Sequence, residues 1–81
     1  SWKLLGKPVN NKSWMQKQLE KAAKVKVQIN SINGNIIQTI NKGDIGAGTY
    51  SLPLNFNRAG SGVYVVKLIV DGKNYSKKII K

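Results

Sequence analysis

The chain has 81 residues, fourteen Lys and Arg against three acids, a formal charge of +11, and neither cysteine nor histidine. Length allows one domain, residues 1–81, whose margin of stability is small because a domain this size buries only about two-thirds of its unfolded surface. The composition excludes a disulfide framework, a Cys- or His-ligated metal site and a Ser-His triad.

No apolar run approaches the roughly 20 residues that cross a bilayer, and no signal-peptide pattern opens the chain. Ser1-Trp2 lacks an initiator Met, so a fragment of a longer chain is expected. Trp2, Leu4, Leu5 and Val9 are apolar, but Gly6 and Pro8 interrupt any helix, so this stretch reads as a short edge strand or an ordered arm. Asn10-Asn11-Lys12-Ser13 reads as a turn. The ambiguous stretch is Ser13–Lys24. A helix fits it locally: Ser13 as N-cap, Met15, Leu19, Ala22 and Ala23 on one face, and Glu20 four residues before Lys24. A strand over Trp14–Leu19, with Met15, Lys17 and Leu19 on one face, fits less well on propensity.

Lys24–Ser31 has strict period two, with Val25, Val27 and Ile29 opposite Lys24, Lys26, Gln28 and Asn30. Asn33-Gly34 predicts a type I′ hairpin, with Ile36–Ile40 as the return strand. Asn41–Thr49 reads as a glycine-rich loop. It lacks the strand-to-helix setting and the closing Lys-Ser/Thr of a phosphate loop. Tyr50, Leu52, Leu54 and Phe56 alternate with polar residues and Pro53, which predicts an edge or bulged strand. Asn57–Ser61 is a second loop. Val63–Val70 is apolar enough for a central strand, with Lys67 facing away from Tyr64, Val66, Leu68 and Val70. Asp71-Gly72 turns the chain, Asp bonding its own backbone, and Tyr75–Ile80 returns. Short strands punctuated this regularly predict an all-β antiparallel sandwich with a core of Val25, Val27, Ile29, Leu52, Leu54, Tyr64, Val66 and Leu68.

The chemistry on offer is binding. Glu20, Asp44 and Asp71 are scattered and do not suggest a catalytic carboxylate pair. No enzyme activity and no cofactor are expected. The charge attracts polyanions: an acidic protein or surface, an acidic polysaccharide or, nonspecifically, nucleic acid. Thirteen of the fourteen cations are Lys and only Arg58 is Arg, which disfavours a dedicated nucleic-acid reader. Lys24, Lys26, Lys67, Lys77 and Lys78 alternate with apolar residues and are able to share one basic face. Trp2 and Trp14 are candidates for stacking on sugar rings, against the plainer role of core or lid residues.

Several stretches, in order, resemble a known family: Ala22-Ala23-Lys24-Val25-Lys26-Val27-Gln28-Ile29, Asn33-Gly34-Asn35-Ile36-Ile37, Gly46-Ala47-Gly48-Thr49-Tyr50, Ser61-Gly62-Val63-Tyr64-Val65-Val66-Lys67-Leu68, Gly72-Lys73, and Lys77-Lys78-Ile79-Ile80-Lys81. The sequence is similar to C-terminal sorting domains of the type IX secretion system. It also resembles the basic terminal domains of secreted bacterial cellulases and xylanases. The resemblance covers residues 22–81 and matches 1–21 poorly. It implies an immunoglobulin-like sandwich ending a larger extracellular enzyme or adhesin, secreted or held at the cell surface. It also implies a strand before Ala22, in place of the helix. By resemblance the sorting or docking positions are Gly62, Tyr64, Gly72, Lys77, Lys78 and Lys81, and the partner is the outer-membrane secretion machinery. The accompanying alternative is an accessory polysaccharide-binding module working through Trp2 and Trp14. The charge of +11 is higher than sorting domains generally carry, which fits the basic terminal type.

Overall fold

A computed structural model describes residues 2–10 and 12–81. Its elements are β1 (Trp2–Lys7), a 3-10 turn (Pro8–Asn10), β2 (Lys12–Leu19), β3 (Ala23–Ser31), β4 (Ile36–Ile45), β5 (Gly48–Leu54), β6 (Val63–Val70) and β7 (Lys73–Ile80). They form two antiparallel sheets, ordered β1-β2-β5 and β4-β3-β6-β7. β5 returns to pair with β2, and β6 returns to pair with β3, which gives the connectivity of an immunoglobulin-like sandwich.

The helix over Ser13–Lys24 is not formed. Residues 12–19 are a strand, paired on both sides by β1 and β5. Met15 and Leu19 are four residues apart, a spacing that one face of a helix and one face of a strand both satisfy. The pairing of two neighbours decides the matter, as the family resemblance implied. Ser13 caps nothing; it points inward and is buried. Of the expected turn at 10–13, Asn11 lies outside the described residues. Lys12 and Ser13 already belong to β2, and the 3-10 turn that Pro8 begins precedes them. Pro suits that first position because its φ is preset and its missing N–H is not needed there.

β4 runs to Ile45, further than expected, because its register shifts twice against β3. Bulges of this kind let a strand continue past residues that break the ladder. At the second of them Gly43 N donates to Asn41 Oδ1 at 3.1 Å. The Asn33-Gly34 turn is also not the type expected. Only Gly34 of the pair has positive φ, at 89°. Its N donates to Ser31 O at 2.9 Å, while Ser31 N donates to Asn35 O at 2.8 Å. This is the three-residue loop ending in a left-handed Gly, the alternative hairpin solution.

Met15, Leu19, Leu52 and Leu54 face Val25, Val27, Ile29, Tyr64, Val66 and Leu68 across the sandwich, and Phe56 and Ala59 fill it from the loop after β5. All eight expected core residues are among these. Pro53 lies on β5, an edge strand, where a missing N–H is tolerated.

Candidate functional site: the final hairpin, its corner and the tryptophans

β6 is central, between β3 and β7, and β7 is an edge. The hairpin joining them turns at Asp71 and Gly72, with φ of 49° and 82°. Positive φ at both central positions is a type I′ turn, which Gly72 makes affordable at the more strained end. Asp71 does not bond its own backbone, as the sequence suggested. Its Oδ1 accepts from Lys24 N at 2.8 Å, and its own N donates to Lys24 O at 2.9 Å. The turn is thereby tied to the start of β3.

The open end of the hairpin is held by a different set of bonds. Gly62 N donates to Lys81 O at 3.1 Å and Lys81 N to Gly62 O at 2.9 Å. The Tyr64 hydroxyl donates back four residues to Gly60 O at 2.5 Å. This is the tyrosine corner of immunoglobulin-like sandwiches, at the start of the equivalent strand. Phe56 meets the Tyr64 ring edge-on, 5.6 Å between centroids at 70°. The Lys81 ammonium donates to Phe56 O at 2.7 Å and to Ala59 O at 2.5 Å. Its charge therefore satisfies the carbonyls of the 56–59 loop.

Gly62, Tyr64 and Lys81 thus converge on one corner, while Gly72 lies at the far end of the hairpin. Lys77 and Lys78 sit between, on opposite faces of β7. Lys77 reaches across to β1, donating from Nζ to Trp2 O at 2.8 Å with its ammonium 4.8 Å from the Trp2 ring centroid. Such a contact is a cation–π pair. Lys78 is exposed and lies opposite Val65 in register. It shares the outer face of the four-stranded sheet with Lys24, Lys26 and Lys67. Lys77 is on the other side, so the basic face holds four of the five lysines named from the sequence.

The two tryptophans have different settings. Trp2 is half-buried, packs against the core and carries Lys77 on its ring. Trp14 is 42% exposed on the outer face of the three-stranded sheet, opposite Leu5 on one side and Pro53 on the other. Its ring covers Gly6: a Cβ there would lie 2.8 Å from Trp14 Cζ3, and Gly6 has φ of 85°. Sequence reasoning missed three participants: Gly6, Gly60 and the inward-facing Ser13. The Gly60-Ser61-Gly62-Val63-Tyr64 spacing was the available signal for the corner.

Among the described residues no cluster of acids is placed to hold a metal ion, and no helix is long and apolar enough to cross a membrane. A family model for the secretion system C-terminal sorting domain matches residues 4–81. The match takes in most of β1 and all of β2, so it starts well before the residue 22 at which the resemblance begins. No curated protein and no solved structure matches the chain.

Proposed function

Because the chain belongs to the family of secretion system C-terminal sorting domains, we propose that it is a non-catalytic module that docks a secreted passenger to the type IX machinery through its final hairpin. Proteins carrying such domains are secreted or attached to the cell surface. The observation that supports the reading is the extent of the match, 4–81, which takes in all of the sandwich but the first two residues of β1 and not a terminal peptide alone. In this reading Gly62, Tyr64 and Lys81 set the shape of the hairpin's open end, and Gly72 closes the other. Lys77 and Lys78 place charge along the β7 edge. An edge strand offers unpaired main-chain groups to an incoming strand, and lysines beside it favour an acidic partner while discouraging self-pairing.

The test fuses residues 1–81 to a passenger in a host with type IX secretion. Export or surface retention of the intact fusion is expected, with loss on deletion of residues 77–81. Because that deletion also removes the Lys81 contacts, Lys77→Gln/Lys78→Gln is compared with Lys77→Gln alone, which carries only the loss of the Trp2 contact. Export reduced further in a folded double variant than in the single one supports docking at β7. No advantage of the intact fusion over the bare passenger would sink the proposal.

A further inference from the structure

A cleft of about 410 Å³ opens beside Trp14, within the range of roughly 300–1,000 Å³ for small-ligand sites. Gln38 and Asn55 line the same cleft. Gln38 Oε1 accepts from Asn55 N at 2.8 Å, and Asn55 Oδ1 accepts from Asn57 N at 2.9 Å. Those bonds use the side-chain oxygen of each amide, so its NH2 is what each has left to donate. The same two residues also line an adjoining recess with Arg58. Lys12 and Arg58 are the charged groups of this groove, and none of the three acids lines it. Trp14 and Pro53 give it an apolar wall.

Donors, two cations and one flat aromatic wall select an anion carried on a ring with an apolar face. We propose that the groove from Trp14 to Arg58 binds an acidic polysaccharide whose pyranose rings carry carboxylates. Trp14 stacks on one ring. Arg58, the chain's single guanidinium, takes a carboxylate through its planar fork. Lys12 takes a second, and the Gln38 and Asn55 amides take hydroxyls. A single nucleic-acid strand fits less well, since such sites stack successive bases on several aromatic rings and Trp14 is the one aromatic side chain lining the groove. The proposal is independent of the export reading.

Calorimetric titration of the domain with oligogalacturonate at physiological salt tests it. Binding is expected, weakened about tenfold or more by Trp14→Ala and by Arg58→Gln, and only partly by Arg58→Lys. Lys26→Gln removes the same charge from the opposite sheet and should leave binding unchanged. Circular dichroism checks each fold; should Trp14→Ala not fold, Trp14→Phe and Arg58→Gln decide. Four outcomes overturn the proposal: no binding, equal loss in Lys26→Gln and Arg58→Gln, equal affinity for a neutral oligoglucan, or equal or tighter binding of oligo(dT).

Discussion

At the scale of single residues, the corner around Tyr64 does the most with the fewest atoms. Tyr64→Phe removes only the hydroxyl that reaches Gly60 O, and should destabilise the domain by about 1 kcal/mol in urea titration. Lys81→Met keeps the aliphatic stem and removes two charge-assisted bonds to the 56–59 loop. Since Lys81 is only partly buried, the loss should fall near the lower end for bonds to charged groups, about 1–2 kcal/mol. A double-mutant cycle should show the two changes to be non-additive, because both act on one loop. Ser13→Ala runs the other way. It deletes a buried hydroxyl that lacks a partner, so a melting temperature equal to or above the parent's is expected. A clear drop would mean that Ser13 is bonded in solution.

At the scale of elements, β1 depends on one glycine. Gly6→Ala drives a Cβ into Lys12 O and Trp14 at a positive φ, so loss of the β1–β2 pairing is expected. Amide exchange protection would be lost over residues 2–7 and at the β2 amides that pair with β1, while those that pair with β5, and β3 and β6, keep theirs. The same elements explain what was legible in advance. β3 and β6 were readable because one face is buried and the other wet, which writes period two directly into Lys24–Ser31 and Val63–Val70. β2 was not, because its inward residues at 15 and 19 satisfy both periods and Lys17 interrupts them. β4 was not, because its bulges put glycine and asparagine inside a strand, where composition alone reads a loop. Of the candidate site, Gly62 and Tyr64 were visible from their spacing. The engagement of Lys77 with Trp2, and of Lys81 with residues 56 and 59, was not. Those contacts join residues remote in sequence, which no local pattern records.

At the scale of the whole molecule, a charge of +11 over an envelope of 36 × 23 × 17 Å sets like charges close together. Added salt screens them over about 10 Å at 0.1 M. The melting temperature should therefore rise with moderate sodium chloride, where a protein held by surface ion pairs would show a fall. The core leaves little reserve: Leu68 is fully buried, and Leu68→Ala should lose about 2–5 kcal/mol out of a total that is commonly only about 5–15. The Asp71–Lys24 tie joins residues 47 positions apart, and β2–β5 and β3–β6 pair across similarly long stretches. Hairpins can close early and alone, but neither sheet is complete until these distant partners meet. Chains assembled this way fold in milliseconds to seconds, not microseconds. Time thus becomes a property of the domain: between release of the chain and closure of the sandwich there is an interval in which β3 and β6 expose their apolar faces. Stopped-flow refolding followed by Trp fluorescence should measure that interval, and Asp71→Ala should lengthen it if the tie forms before the rate-limiting step.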